Sequence, residues 1–557
     1  MNPLIVSIAA ILFATSVPNN QAPEIPDDVK QAIQARVKNG YAPSIVIGVI
    51  DANGSTVMGE GWTKRNGGNK VDGDTVYEIG SITKAFTGIL LADMVTKGEV
   101  ALDDPISKYL PDDIDTPTKD DKEITLKNLS NHTSGLPRLP DNMVPDDSDN
   151  PYASYSPQDL YDFLDGYVME SPIGEKYAYS NLGAGLLGNI LTRVANQTYE
   201  QLVWQRIAKP LGMTSTVCSV RSDAASRAAQ GYSGAVEAGS WDIPTLAGAG
   251  DLVSSANDML KFVSANLGII PSPLQEAMKL SHEPTTKSTI PNTDVGLGWH
   301  IRDHKGRKLI WHNGGTGGYR SFVGFAPDKK FGVVVLTNTS SLGVDDIGLH
   351  VLEPEIDMDM RWNEPTAKVD EKTLKSYVGY YELQPGLMMN VQVQNGMLTV
   401  EPTGQQAYTL YPKSKTEFFL IEVEAAGEFV VDDNGKVTHL IWKQNGAEQK
   451  GPRKENYTPP APKKEIEVDP KILEKYVGQY ELIPSVKFDV TLKEGQLYVQ
   501  LTGQPSFPVF AEAEDKFFYK VVEAAITFHV EDGKTTALTL HQGGLDQRAK
   551  RLPDKEE

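Results

Sequence analysis

The C-terminal third of the chain contains an internal repeat with a constant offset of 99 residues, as from Tyr377 to Tyr476. Four landmarks keep this offset: Tyr377-Val378-Gly379 with Tyr476-Val477-Gly478, Thr403-Gly404-Gln405 with Thr502-Gly503-Gln504, Phe418-Phe419 with Phe517-Phe518, and Glu424-Ala425-Ala426 with Glu523-Ala524-Ala525. Each copy has the short alternating pattern of β-strands, which is typical of a small up-and-down barrel. The pattern predicts two β-barrels, at residues 366–455 and 465–557, joined by a proline-rich extended linker.

Composition limits the classes of protein to which the chain can belong. It has 557 residues and a formal net charge of −21, so several domains are expected, and neither nucleic acid nor an anionic membrane surface is expected as a partner. The single cysteine, Cys218, excludes an internal disulfide and a cysteine-based metal cage. His282-Glu283-Pro284 does not continue as a His-Glu-x-x-His zinc motif. The sequence therefore predicts no metal and no cofactor.

The first residues resemble an export signal. The run from Pro3 to Ala14 is apolar and small residues follow it, although the usual positively charged segment before it is missing. A buried N-terminal strand or helix is the alternative interpretation. We expect residues 1–18 to be a signal peptide of a secreted or periplasmic protein that is not stably inserted in a membrane.

The region from residue 19 to residue 363 is predicted to be one mixed domain. Its strand-like segments lie at both ends, at 44–50, 308–312, 321–325 and 331–336, whereas helical periodicity dominates at 182–194 and 257–267. This order indicates one antiparallel sheet built from the two ends of the domain and flanked by helices.

The segment Ser81-Ile82-Thr83-Lys84 has the spacing of a nucleophile and its activating amine. Residues three apart share one face of a helix, and a desolvated lysine can accept the proton of a serine hydroxyl. The apolar run from Ala85 to Val95 predicts an amphipathic helix that begins near Ser81. The four-residue pattern alone is weak evidence, because a chain of this length contains about one such match by chance.

Two further motifs supply the other groups that acylation needs. In Tyr179-Ser180-Asn181, on a loop before a predicted helix, the phenol could carry a proton and the amide could hold a substrate carbonyl or the lysine. Alternatively, Asn181 caps that helix and Tyr179 packs beneath it. In His312-Asn313-Gly314-Gly315, a predicted strand ends in glycines whose N–H groups could complete an oxyanion hole. Alternatively, these glycines only form a turn.

Ser-x-x-Lys, Tyr-x-Asn and His-x-Gly, in this order, resemble the motifs of the serine β-lactamase and penicillin-binding superfamily, in particular its class C β-lactamase, DD-peptidase and D-aminopeptidase group. The stretches 124–137, 248–259 and 296–299 are also similar to that group. The resemblance implies an α/β (α+β) β-lactamase-like domain with an antiparallel sheet flanked by helices. The two C-terminal barrels resemble the lipocalin-like domains attached to some D-aminopeptidases.

The resemblance also implies roles for individual residues. Ser81 would be the acylated nucleophile, Lys84 its activating partner, and Tyr179 the base toward Ser81 or the acid toward the leaving group. Asn181 would bind the substrate amide. His312 would take the place of the lysine in the Lys-Thr-Gly motif, which is absent from this chain.

The remaining predicted site residues follow the third motif. The N–H groups of Ser81 and Gly315, with Gly314 beside them, would form the oxyanion hole. Arg320 could bind a substrate carboxylate, or it is a surface arginine beside a strand.

These features predict a serine hydrolase that acts through an acyl-enzyme on peptides or amides with D-residues, or on small esters. The alternatives are a class C-like β-lactamase and a penicillin-binding sensor with slow turnover. The partner would be a small molecule or short peptide. The barrels would bind cell-wall fragments or apolar ligands, or cover the cleft. The sequence does not indicate an oligomeric state.

Overall fold

The computed structural model describes residues 21–218, 226–459, 463–493, 495–504, 506–520, 522, 524–542 and 545–553. The predicted signal peptide, 1–18, lies outside the described residues. The chain divides into two compact units, one of residues 1–233 and 237–365 and the other of residues 234–236 and 366–557.

The first unit is built on a nine-stranded antiparallel sheet. Strands of the unit are β1 Ser44–Asp51, β2 Gly54–Lys64, β3 Gly67–Lys70, β4 Val76–Glu78, β5 Thr118–Lys119, β6 Lys122–Glu123, β7 Val217–Cys218, β8 Tyr232–Ser233, β9 Val236–Glu237, β10 Leu252–Ser255, β11 Thr286–Lys287, β12 Thr293–Val295, β13 His300–His304, β14 Arg307–Gly315, β15 Arg320–Ala326 and β16 Phe331–Thr337. The sheet order is β11-β12-β13-β14-β15-β16-β1-β2-β3. Since β1 pairs with β16, the prediction of one sheet built from both ends is confirmed.

Helices cover both faces of this sheet. They are α1 Asp27–Lys38, α2 Thr83–Thr96, α3 Leu126–Ser130, α4 Pro157–Gly166, α5 Asn181–Ala195, α6 Tyr199–Val203, α7 Lys209–Leu211, α8 Ala256–Asn266, α9 Gln275–Ser281 and α10 Asp345–Leu352. In β1, Ile45, Ile47 and Val49 belong to the apolar core on one face, and Val46 and Ile50 to the core on the other. Successive side chains of a strand point to opposite faces, so burial on both faces explains why β1 is apolar throughout.

Helix α2 differs from the sequence prediction. We expected an amphipathic helix, but all residues from Thr83 to Met94 are buried. The prediction was wrong because α2 contacts α3, α5 and α9 and is enclosed on every side. A helix with no solvent face keeps the Lys84 side chain away from water.

The second unit contains two β-structures that follow one another in the chain. The first is a closed barrel of β17 Gly379–Gln384, β18 Leu387–Gln394, β19 Met397–Pro402, β20 Tyr408–Pro412, β21 Glu417–Phe419, β22 Ala425–Val431, β23 Val437–Gln444 and β24 Ala447–Lys454, preceded by α11 Glu371–Tyr377. The second follows α12 Pro470–Leu473 and has β25 Gly478–Ile483, β26 Val486–Lys493, β27 Gln496–Leu501, β28 Ser506–Pro508, β29 Phe510–Ala513, β30 Lys516–Phe518, β31 Ala524–Glu531, β32 Lys534–Gln542 and β33 Leu545–Arg551, in the order β28-β27-β26-β25-β33-β32-β31-β30-β29. The prediction of two small all-β barrels is confirmed for the first copy as a closed barrel and for the second as a nearly closed one.

The repeat in sequence is also a repeat in contacts. The Tyr381 hydroxyl donates to the Tyr377 carbonyl at 2.6 Å, and the Tyr480 hydroxyl donates to the Tyr476 carbonyl at 2.7 Å. In the first copy the ring of Tyr377 stacks on Phe429 at 4.3 Å, and the equivalent stack in the second copy has the same spacing. These aromatic side chains belong to the apolar core of each copy.

In the described residues, no helix is both long enough and apolar enough to cross a membrane.

A buried ion pair joins the first helix of unit 1 to its last segments. The Arg36 side chain is fully buried, and its guanidinium donates to both carboxylate oxygens of Asp346 at 3.1 and 2.5 Å. Removing one partner leaves a buried charge without compensation. We expect Asp346→Ala to lower the free energy of unfolding by about 3 kcal/mol, measured by urea denaturation.

The control is Asp27→Ala, which removes an exposed ion pair with Lys30. It should cost less than about 0.5 kcal/mol. Equal losses for the two variants would contradict the structural role of Arg36.

Candidate active site

The serine of the first motif lies between a strand and the buried helix. β4 ends at Glu78, and a 3₁₀ turn over Gly80–Ile82 leads into α2. Gly80 has a φ of 49°, and a Cβ there would lie 2.7 Å from the Gly315 nitrogen. Only glycine fits this left-handed, closely packed position. The contact brings Ser81 beside the end of β14.

Lys84 lies one helical turn after Ser81, with 2% of its surface exposed. Its Nζ lies 3.0 Å from Ser81 Oγ, 2.9 Å from Asn181 Oδ1 and 2.7 Å from the Ala249 carbonyl oxygen. Burial, together with the nearby Arg138 charge, holds the pKa of Lys84 well below its usual value.

Three oxygen atoms could satisfy either an ammonium or an amine, but the lowered pKa of Lys84 favours the neutral amine. Its two N–H groups can donate to Asn181 and to the Ala249 carbonyl, which leaves the nitrogen lone pair facing the Ser81 hydroxyl. In that form Ser81 donates to Lys84. The arrangement gives the serine a proton acceptor within hydrogen-bond distance.

Tyr179 and Asn181 reach the same serine from the loop before α5. The Tyr179 hydroxyl donates to Ser81 Oγ at 2.8 Å, and Asn181 holds Lys84. The helix is capped by Ser180, whose hydroxyl accepts from Gly183 N–H at 2.8 Å. The alternative in which Asn181 is the cap is therefore wrong.

Burial raises the pKa of Tyr179 to about 12, so the phenol is protonated at neutral pH. The Lys84 amine lies 4.9 Å from the centre of its ring, and the Arg138 guanidinium 5.3 Å. A protonated phenol beside Ser81 can deliver a proton, whereas Lys84 is the group suited to accept one.

His312 lies on β14 and has 2% of its surface exposed. Its Nδ1–H donates to the Asn313 carbonyl at 2.6 Å, since a carbonyl oxygen can only accept. Burial lowers the pKa of His312 well below its usual value, and the neighbouring His300 and Lys84 lower it further. A neutral imidazole therefore occupies the position that a cationic lysine would take.

The two glycines after His312 have different environments. The Thr316 N–H donates to the Tyr319 carbonyl at 3.2 Å, so Thr316 and Tyr319 form a hydrogen-bonded pair at the end of the β14–β15 ladder. Because pair types alternate along an antiparallel ladder, the next pair, Gly315 with Arg320, is of the non-hydrogen-bonded type. The Gly315 N–H thus points away from β15. On that side, β13 pairs with β14 only as far as Trp311. The Gly315 N–H is therefore used by neither β13 nor β15, and its oxyanion role stays a prediction.

Gly314 is buried, and a Cβ there would lie 1.9 Å from the Ile79 carbonyl oxygen. It pairs with Ser321 on β15. Its position beside Ile79 explains how the serine turn approaches β14 so closely. The predicted oxyanion role of Gly314 stays a prediction.

Arg320 is exposed and lies opposite Gly315 on β15. Its Nε donates to the Ser340 carbonyl at 3.0 Å. Its Nη1 packs against Gly315 and occupies the space that a Cβ on Gly315 would need. The guanidinium is therefore near the end of β14, where it also faces the Asp345 carboxylate.

Sequence reasoning missed several residues of the cleft. Tyr152, Trp241 and Ile243 line it together with Ser81 and Asn181. The rings of Tyr152 and Trp241 are 5.3 Å apart. Both come from loops without a recognisable motif, so the sequence offers no way to place them. The Ala249 carbonyl, in contrast, lies in the stretch 248–259 that resembles the superfamily.

Among the described residues, no group of three or more histidine, cysteine, aspartate or glutamate side chains is arranged to hold a metal ion.

Comparison with protein families gives two matches. A family model described as Beta-lactamase matches residues 29–354. A model described as a domain of unknown function, DUF3471, matches twice, at 363–453 and 462–552.

The chain is also similar to characterised proteins. It is 28% identical over 357 residues to the D-alanyl-D-alanine-carboxypeptidase/endopeptidase AmpH of Escherichia coli K12, a match that covers 60% of this chain and 91% of AmpH. It is 27% identical to the protein flp of Staphylococcus aureus MRSA252, over 57% of this chain and 64% of flp.

Two solved structures show the same fold. A β-lactamase/D-alanine carboxypeptidase from Yersinia pestis, complexed with citrate, has a TM-score of 0.51 and 26% identity and covers 56% of this chain and 92% of its own. The octameric penicillin-binding protein homologue from Pyrococcus abyssi has a TM-score of 0.52 and 24% identity and covers 76% of this chain and 99% of its own.

The geometry predicts that Lys84 is needed as a base rather than as a charge. We expect Lys84→Arg and Lys84→Met each to slow acylation of Ser81 by about 10²–10⁴-fold, because neither new side chain can accept the serine proton. The guanidinium of the arginine variant stays protonated, so that variant keeps the charge and loses only the base. Single-turnover release of p-nitrophenol from an activated ester measures this rate.

Lys97→Met is the matched control, since Lys97 follows the same helix and is about half exposed in an ion pair with Asp93. It should leave the rate unchanged. Full activity of Lys84→Arg would contradict the base role.

Proposed function

Because the chain belongs to the Beta-lactamase family of serine hydrolases, we propose that it hydrolyses short peptides or amides with D-residues through an acyl-enzyme on Ser81. The observation that carries this proposal is the position of Ser81 Oγ, 3.0 Å from Lys84 Nζ and 2.8 Å from the Tyr179 hydroxyl. A base and a proton donor contact the same nucleophile.

In the acylation step, Lys84 accepts the Ser81 proton as Oγ attacks the substrate carbonyl carbon. The oxygen of that carbonyl becomes negative and is stabilised by the N–H groups of Ser81 and Gly315. Tyr179 then donates its proton to the leaving nitrogen as the C–N bond breaks, and the proton on Lys84 restores the phenol. The first product is an amine, and the acyl group remains as an ester of Ser81.

Deacylation repeats these steps with water as the nucleophile. The water loses a proton to the Tyr179–Lys84 pair as it attacks the ester, and Ser81 regains a proton when the ester bond breaks. The second product is a carboxylic acid. The cycle needs only groups that contact Ser81 or the oxyanion.

The choice of D-alanyl substrates rests on three observations. The similar proteins include one named as a D-alanyl-D-alanine carboxypeptidase/endopeptidase. The walls formed by Tyr152 and Trp241 make the cleft narrow, which favours a small acyl side chain such as alanine. With His312 neutral, the exposed Arg320 is well placed to bind a terminal carboxylate.

An exported location would fit this substrate class, since the N-terminal apolar run resembles a signal peptide. It stays a prediction.

The test is a parallel rate comparison on four substrates: an N-acyl-D-Ala-D-Ala peptide, its L-Ala-L-Ala counterpart, a short ester and a cephalosporin. We expect a higher kcat/KM for the D-peptide than for the L-peptide. The acyl group should also increase the mass of the Ser81 residue during turnover. Faster turnover of the cephalosporin than of the D-peptide would favour a β-lactamase, and a stable β-lactam adduct without turnover of any substrate would favour a sensor.

A carboxylate-binding role for Arg320 gives a further prediction. For a peptide with a free C-terminal carboxylate, Arg320→Gln should lower kcat/KM by about 10- to 100-fold, the contribution of a hydrogen bond to a charged group. The same peptide with a C-terminal amide is the control, and its kcat/KM should change by less than about threefold. Equal losses on both peptides would contradict this role.

A further inference from the structure

A buried glutamate precedes the proposed nucleophile by three residues. Glu78 is the last residue of β4, three positions before Ser81, and only 4% of its surface is exposed. Its Oε1 accepts a hydrogen bond from Trp241 N–H at 3.2 Å. Its Oε2 makes no hydrogen bond of good geometry among the described residues, although the hydroxyls of Thr316 and Ser240 lie close enough to the carboxylate to stabilise its charge. A buried carboxylate oxygen without a well-formed hydrogen bond is costly, so its presence here needs an explanation.

A second poorly hydrogen-bonded group lies close to the first. Thr316 is 6% exposed and follows Gly315, and its hydroxyl, although close to Glu78, makes no hydrogen bond of good geometry among the described residues. It is near enough to the Glu78 carboxylate to stabilise the charged form. A protonated Glu78 could donate its O–H toward the Thr316 oxygen, whereas an ionised Glu78 can only accept.

Thr316 lines the cleft in which the oxyanion would form, and Glu78 is buried beside it. Thr316 and Trp241, which both contact or face Glu78, line that cleft together with Ser81 and Gly315. A negative charge on Glu78 would therefore repel the negative charge that develops on the substrate oxygen, and low-polarity surroundings strengthen that repulsion.

We propose that Glu78 is a positioning residue for the oxyanion hole and is active in its protonated form. In that form Glu78 links the Ser81 turn to the end of β14, and it places no negative charge beside the hole. This inference rests on the proposed acyl-enzyme function. Ionisation of Glu78 slows acylation without removing any group that touches the substrate.

The groups that face Glu78 support a change of state near neutral pH. Burial and, to a lesser extent, the nearby Asp251 raise the pKa of Glu78 to about 7, against the opposing effect of the Thr316 and Ser240 hydroxyls and the Trp241 backbone N–H. Tyr319 also faces Glu78, and burial raises the pKa of its phenol, so it stays neutral. Glu78 is thus protonated below about pH 7 and charged above it.

The test is the pH profile of Ser81 acylation by a neutral activated ester, followed as single-turnover release of p-nitrophenol. With a neutral substrate, the rate should first rise with pH as Lys84 loses its proton. It should then fall by about tenfold above about pH 7 as Glu78 ionises. Glu78→Gln, which cannot ionise, should abolish the fall and keep the plateau. The control is Glu276→Gln, an exposed residue paired with Lys279 on α9, which should keep the wild-type profile.

Each outcome has a distinct meaning. A wild-type profile without an alkaline fall overturns the inference even if Glu78→Gln does not fold. A fall that persists in folded Glu78→Gln also overturns it. In both cases the proposed function stands if Ser81 carries the acyl group by mass spectrometry. Absence of any acyl group on Ser81 in the wild type overturns the proposed function itself.

Discussion

The desolvation of Lys84 is the constraint on which the site depends. An ammonium in water would keep its proton and leave the serine inactive. Here the amine lies on a helix that is buried on every side, and its polar contacts are Ser81, Asn181 and one backbone carbonyl. The apolar character of α2 is therefore part of the chemistry as well as of the core.

Close backbone packing converts these separate segments into one site. Glycine at position 80 allows the serine turn to contact Gly315, and glycine at 314 allows Ile79 to approach β14. The sheet holds β14 rigidly, because β13 and β15 flank it. The N–H groups of Ser81 and Gly315, which would stabilise an oxyanion, thus lie about 230 residues apart in sequence. The close contacts of the serine turn with β14 bring them together.

Much of this arrangement could be predicted from the sequence. The sheet built from both ends of the domain, the barrel repeat and the grouping of Ser81, Lys84, Tyr179 and Asn181 follow from periodicity, an offset and the motifs. The burial of α2 could not, because an apolar run does not reveal how many neighbours enclose it. Trp241 was also missed, since it comes from an irregular loop whose position depends on tertiary packing.

The proposed chemistry requires Lys84 to be a neutral amine when it accepts the Ser81 proton. The most direct test is an NMR titration of the lysine ¹³Cε resonances, with Lys84 assigned by comparison with Lys84→Arg. We expect Lys84 to titrate well below the usual lysine pKa of about 10.4. A Lys84 that stays protonated up to the usual pKa would contradict its role as the base.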